Sequence, residues 1–312
     1  MELCFADVNL AAEYDLSSLN ELDTVKVLFN ENIGLVLQAR NDEAFEKALT
    51  DAAVEVFKIG KPSNGTEVKI KNNSDSFSFN VEQTRDTWFK TSYLLDQKQS
   101  KNGTADERYK NYKNQPLRFD FPVHFDGVKP AFIAGTKRPK AAIIREKGSN
   151  SEREMANAMY LAGFVVKDVH MTDLISGRET LEDIQFIGAV GGFSNSDVLG
   201  SAKGWAGAFL YNEKAKSALE KFFARPDTLS VGICNGCQLF MELELINPDH
   251  EVHGKMLHNN SQKHESNFVS VKIQENNSVM LSTLAGSTLG VWISHGEGKF
   301  NLPNQEDQYN IV

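Results

Sequence analysis

Cysteine is scarce in this chain. Its 312 residues hold only three, Cys4, Cys234 and Cys237. Three cysteines build no disulfide framework, so a reducing compartment is expected. They also build no closed zinc site, because no His-x-His or second C-x-x-C completes a four-ligand set; no metal site is expected. The opening residues, Met1-Glu2-Leu3-Cys4-Phe5-Ala6-Asp7, lack the basic start and long apolar core of a secretory signal. No apolar run approaches the roughly 20 residues that span a bilayer, so no membrane partner and a cytoplasmic location are expected. Positive charge is also short. A net charge of -9 argues against nucleic acid as a partner. The one basic cluster, Lys137, Arg138, Lys140, Arg145 and Lys147, reads as a solvated or interdomain face.

What remains is globular. Hydrophobic residues make up 41% of the chain, and its length suits two domains. Residues 1–95 read as part of an α+β domain. In it, Ile33 to Ala39 and Val54 to Gly60 have strand composition, and Asp42 to Ala53 carries apolar residues at helical spacing. Two further strands, Glu67 to Ile70 and Ser76 to Val81, flank the turn signal Asn72-Asn73-Ser74-Asp75. From Asp96 the composition turns polar and then proline-punctuated, with Pro130 and Pro139, so 96–136 is expected to be linker.

Residues 137–312 alternate β and α, the rhythm of a mostly parallel sheet with helices on its faces. Ala141 to Ile144, Phe164 to Val166, Phe186 to Val190 and Thr228 to Ile233 are its first four strands. Ser151 is expected to cap the helix after the first of them. The runs Phe268 to Ile273 and Gly290 to Ile293 are expected to add strands.

At the end of the fourth strand stands Gly232-Ile233-Cys234-Asn235-Gly236-Cys237-Gln238, followed by a helix-like run. Glycine two positions before and two after a reactive residue is the pattern of a nucleophile elbow, a strand-to-helix turn too sharp for neighbouring side chains. The following helix points its N-terminus at the sulfur and favours the thiolate. Cys234 is therefore read as a catalytic nucleophile. Cys234 and Cys237 also spell C-x-x-C, and a dithiol redox site is the alternative, although such a site needs no flanking glycines. Gly191-Gly192-Phe193-Ser194 follows the third strand and offers bare main chain. The N–H groups of Gly192 and Asn235 are the natural donors to an oxyanion formed at Cys234. His295, in Ser294-His295-Gly296-Glu297-Gly298-Lys299, reads equally well as a general base or a structural histidine. The other histidines, at 124, 170, 250, 253, 258 and 264, lack distinctive context and read mostly as surface.

These segments, with Asp197-Val198-Leu199-Gly200, Arg145 to Glu152 and Asp168-Val169-His170-Met171, resemble the phosphoribosylformylglycinamidine synthase family. The likeness is to the class I (triad) glutamine amidotransferase domain of its large single-chain form, from about residue 137 onward. Residues 1–95, with Leu28 to Gly34, resemble the tail of the synthetase region that precedes that domain.

The resemblance implies a flavodoxin-like fold and a glutaminase in which Cys234 is the nucleophile and Gly192 and Asn235 hold the oxyanion. Gln238, with the main chain of Ser294, His295 and Gly296, would contact the substrate glutamine. The ammonia released would pass to the synthetase region, the partner of this domain. There ATP and magnesium activate formylglycinamide ribonucleotide in a step of purine biosynthesis, so ATP and magnesium would lie outside this chain. The family's triad histidine and glutamate lie in a Pro-His-Pro-Glu-Arg type segment that does not occur here, and His295 belongs to a different, earlier motif. The chain is therefore expected to be a fragment on both sides and to hydrolyse little glutamine alone. Asn195-Ser196 also departs from the aromatic-glycine pair usual before Asp197. Rival readings are another class I amidotransferase or glutamyl hydrolase, and a catalytically inert scaffold.

Overall fold

A computed structural model describes residues 1–312 except 7, 8, 41, 42, 115, 116, 123, 124, 126 and 129–136. The expected domain boundary near 136, Pro130 and His124 lie outside the described residues. The chain divides into two compact units, Met1–Pro116 and Leu117–Val312.

The first unit is α+β. Strands β1 (Leu10–Asp15), β2 (Gly60–Asn64), β3 (Glu67–Asn72) and β4 (Asp75–Asn80) form one sheet in the order β2-β1-β3-β4. Only the β1–β3 pair is parallel. Asn73 turns the β3–β4 hairpin at φ +51°, a left-handed angle that asparagine tolerates. Short helices α1 (Thr24–Leu28) and α2 (Glu43–Asp51) lie between β1 and β2 in sequence. A small core gathers Cys4, Ala12, Val68 and Val81.

Three expectations fail in this unit. The run 33–39 has strand composition but pairs with no strand among the described residues, leaving Ile33 104% and Leu35 85% exposed. Residues 54–59 are likewise irregular, and the strand begins only at Gly60. The stretch 96–112, expected as linker, is largely helical. Helix α3 (Val81–Gln99), capped by Asn80 accepting from the Gln83 N–H, runs through its first residues, and α4 (Thr104–Asn111) follows. The polar composition hid an aromatic face: Phe89 stacks on Tyr112 at 4.1 Å and Tyr93 on Tyr109 at 4.2 Å. An Arg108–Asp96 ion pair at 2.8 Å closes the same side.

The second unit is built on a four-stranded sheet of β5 (Lys140–Arg145), β7 (Val165–His170), β8 (Phe186–Ala189) and β10 (Leu229–Gly232). A short strand, β6 (Ser149–Asn150), precedes β7. All three pairings within the main sheet are parallel, in the order β7-β5-β8-β10. Counted along the chain this is 2-1-3-4, the flavodoxin-like order. The central strands are buried on both faces and read accordingly as unbroken apolar runs.

Helices α5 (Glu152–Leu161), α6 (Met171–Ser176), α7 (Lys203–Leu210), α8 (Glu213–Phe223) and α9 (Asn235–Glu242) accompany the sheet. Ser151 precedes α5 as expected but makes no side-chain cap; its hydroxyl donates to Asn150 Oδ1 instead. Ile143, Ile187, Trp205, Phe209 and Phe222 are fully buried in the shared core, each contributing about 1.5–3 kcal/mol.

The later strands do not extend the parallel sheet. β12 (Glu265–Lys272) pairs antiparallel with β13 (Thr288–His295), β11 (Lys255–Leu257) with β14 (Lys299–Asn301), and β6 with β9 (Gly191–Gly192). Among the described residues no helix is long and apolar enough to cross a membrane. Within the basic cluster, Arg145 pairs with Asp168, Lys140 with Asp183, and Arg138 lies over the Tyr160 ring.

Candidate active site

Cys234 sits between β10 and α9 at φ +54°, ψ −111°. This angle pair is disfavoured for any side-chain-bearing residue and costs about 1–3 kcal/mol, as strain at functional positions does. The two flanking glycines are required by close approach. A Cβ on Gly232 would stand 2.5 Å from the Gly236 carbonyl oxygen, and one on Gly236 would stand 2.1 Å from that of Ala189. Gly191 completes the set, since its Cβ would lie 3.2 Å from that of Cys234. The turn thus holds the cysteine exposed at the carboxyl end of β10, beside the end of β8.

The three thiols differ. Cys234 is exposed, Cys237 half-buried and Cys4 buried, and all three are unpaired. Burial, helped by negative charge at Cys234, pushes the Cys237 thiol up from its ordinary pKa. That is the reverse of an activated helix-start thiol, and it weighs against a dithiol reading.

The Gly192 turn and the elbow are tied together by one side chain. Asn235 is fully buried. Its Oδ1 accepts from the Ser194 N–H at 3.1 Å, and its Nδ2 donates to both Asp197 oxygens at 3.2 Å and to Gln238 Oε1 at 2.9 Å. Asp197 in turn accepts from the Ala202 N–H. As the first residue of α9, Asn235 has no intrahelical acceptor for its own backbone N–H. Gly192 lies at φ +107°, in β9, where a Cβ would stand 2.7 Å from the Asn150 nitrogen. The side chain that follows Cys234 therefore fixes the turn carrying Gly192.

Asn195, Ser196 and Asp197 all take left-handed angles, with φ of +52°, +57° and +47°. Ser196 occupies the position where the resembled family has glycine, and its backbone still takes the glycine-like angle.

The opposite wall is β13 and the turn after it. Cys234 Sγ lies 3.6 Å from the Ser294 carbonyl oxygen, its one hydrogen-bond acceptor among the described residues. The His295 ring does not face the sulfur through any hydrogen bond. Its Nδ1 lies 2.9 Å from Asn259 Oδ1, folded over the turn that Asn259 also holds by bonds to the His295 and Gly296 carbonyls. Gln238 is 6% exposed and its amide is engaged on both sides, with Asn235 and with the Glu297 carbonyl at 2.8 Å. It braces α9 against the 295–298 turn. Glu297 accepts from the Ser201 N–H and faces His258 at 3.6 Å. His264, which carries no signature in the sequence, also belongs to this wall: its Nε2 lies 2.9 Å from Ser294 Oγ.

A family model for the CobB/CobQ-like glutamine amidotransferase domain matches residues 138–312. A probable phosphoribosylformylglycinamidine synthase from Caenorhabditis elegans is 36% identical over 325 residues, covering 100% of this chain and 24% of that protein. One from Arabidopsis thaliana, named as chloroplastic/mitochondrial, is 37% identical over 324 residues, covering 98% of this chain and 22% of that protein. The chain thus spans about a quarter of the length of these relatives. Among solved structures, PurLQS from Thermotoga maritima is 26% identical with a TM-score of 0.45, covering 54% of this chain and 71% of that one. A glutamine amidotransferase from the same organism is 16% identical with a TM-score of 0.36, covering 54% and 64%. This chain belongs to the CobB/CobQ-like glutamine amidotransferase domain family.

Proposed function

We propose that this chain is the glutamine-hydrolysing part of a phosphoribosylformylglycinamidine synthase, with Cys234 as its nucleophile. The observation that carries the reading is the strained, exposed Cys234 whose neighbour Asn235 locks the Gly192 turn beside it. The Cys234 thiolate adds to the carboxamide carbon of glutamine, and the N–H groups of Gly192 and Asn235 receive the oxyanion. The C–N bond then breaks, ammonia leaves with a proton gained, and a glutamyl thioester remains. Water attacks the thioester, releasing glutamate and restoring the thiol. The main chain at Ser294, His295 and Gly296 lines the far side of the cleft, with Gln238 holding it in place.

Ammonia is delivered to the synthetase region of the intact enzyme. There ATP, with magnesium, would phosphorylate the amide oxygen of formylglycinamide ribonucleotide and leave as ADP, and ammonia would displace that oxygen as phosphate, giving the amidine of purine biosynthesis. Three unpaired cysteines support a reducing location such as the cytoplasm.

The test is a protein of the relatives' full length carrying this sequence. Cys234→Ala should abolish amidine formation from glutamine while leaving formation from high ammonia intact. Loss of both activities, or retention of both, would refute the assignment.

A further inference from the structure

His264 stands immediately before β12, and the register of β12 on β13 sets Ser266 opposite Ser294. Its Nε2 lies 2.9 Å from Ser294 Oγ, and Ser266 Oγ lies 3.3 Å from the same hydroxyl. Ser294 is the residue whose carbonyl receives Cys234 Sγ. On its other side the imidazole lies 6.1 Å, centroid to centroid, from the Phe193 ring, which directly follows Gly192. Nδ1 comes within 3.9 Å of where a Cβ on Gly296 would be, so the ring reaches over bare main chain. The residue is exposed, and Nδ1 has no hydrogen-bond partner among the described residues. His264 thus joins the two walls that face each other across Cys234.

The two serines allow the open nitrogen to carry the proton. With the Ser266 hydroxyl donating to Ser294 Oγ and the Ser294 hydroxyl donating to Nε2, the proton of a neutral imidazole is left on Nδ1. The cleft then presents an N–H donor. A glutamine with its carboxamide at Cys234 must send its amino-acid end away from the elbow, along one of these walls. Of the two charged groups at that end, the α-carboxylate only accepts hydrogen bonds and the α-ammonium only donates them. A donor on Nδ1 suits the carboxylate alone.

We infer that His264 is a substrate-recognition residue of the cleft, donating from Nδ1 to the α-carboxylate of bound glutamine; this rests on the glutaminase reading of Cys234. The probe is a glutamine-shaped chloroketone, in which a chloromethyl group replaces the carboxamide nitrogen. Cys234 Sγ displaces chloride and forms a thioether, so the rate of chloride loss onto Cys234 reports recognition without turnover. Its companions are the same chloroketone lacking the α-carboxylate, and iodoacetamide.

His264→Ala should slow alkylation of Cys234 by the complete chloroketone about tenfold, the worth of one hydrogen bond to a charged group. The rates with the other two reagents should stay as they were. His264→Asn, whose amide can stand where Nδ1–H stood, should recover most of the rate. His264→Gln, which keeps the Ser294 contact instead, should not. Equal rates for His264→Ala and the unchanged chain with the complete chloroketone, or a parallel fall with all three reagents, would overturn the assignment. If the unchanged chain itself shows no preference for the complete chloroketone over the truncated one, the glutaminase reading falls and His264's role falls with it.

Discussion

The sulfur of Cys234 lies 3.6 Å from the carbonyl oxygen of Ser294, 60 residues away in sequence. This contact joins the nucleophile elbow of the parallel sheet to a strand of the antiparallel pair β12–β13, so the cleft has walls from two different sheets. In the proposed reaction the elbow supplies the nucleophile, Cys234, and the oxyanion donors. The β13 wall supplies main chain and, through Ser294, the His264 imidazole.

The elbow depends on the absence of a side chain at Gly236. Gly236→Ala would bring its Cβ to 2.1 Å from the Ala189 carbonyl oxygen, and backbone on either side cannot yield as a side-chain tip can. A loss of about 3 kcal/mol in denaturant unfolding is expected. Gly34→Ala is the control, since nothing lies within 4 Å of a Cβ there, and its effect should stay within about 0.5 kcal/mol.

Ser196 holds a left-handed angle, φ +57°, with no glycine to relieve it. Ser196→Gly should stabilise the chain by about 0.5–1 kcal/mol, the left-handed penalty less the added freedom of the unfolded glycine. A thermal melt shifted downward would show that the Ser196 side chain contributes more than its backbone costs.

Glu179 gives the clearest pH signature. Burial raises its carboxyl pKa, but the Lys167 ammonium and the N–H groups of Leu181 and Thr180 outweigh that, leaving it below the ordinary value of 4.5. A carboxyl with a depressed folded-state pKa stabilises fully above the unfolded value and loses that contribution as pH falls through the folded one. Lys167 is half exposed, so solvent screening limits the effect to about 1 kcal/mol. Glu179→Gln should therefore lower stability at pH 7 by about that much and flatten the acid limb below pH 4.5. An acid limb unchanged by the substitution would contradict this.

The parallel sheet was legible in the sequence because buried strands leave an unmistakable mark. Phe186 to Val190 and Ala141 to Ile144 are continuous apolar runs, and each borders the core as the composition requires. The elbow was legible because its glycines sit in one short run around Cys234, although only Gly232 is enforced locally, by Gly236, while Gly236 is enforced by Ala189 from the neighbouring strand. Other features were not local. Ile33 to Ala39 has the composition of a strand but no partner among the described residues. The polar run after Asp96 concealed tyrosines whose stacking appears only when α3 and α4 lie together. His264 acquires its place from strand register, which sets residues about 30 apart side by side. The engagement of Gln238 with Glu297 is likewise a tertiary fact, invisible in the spacing of the motif.

The most direct measurement is the site of adduct formation when the chain meets the glutamine-shaped chloroketone. One adduct per chain is expected, located on Cys234 by peptide mapping, slowed by L-glutamine and absent in Cys234→Ala. Cys237, its thiol held up by burial, and buried Cys4 should stay unmodified over the same time. Turnover of glutamine itself should remain slow, since no imidazole is hydrogen-bonded to Cys234 Sγ among the described residues and the members of such a triad act as a unit. An adduct on Cys237, or labelling of Cys234 that L-glutamine does not slow, would contradict Cys234 as the glutaminase nucleophile.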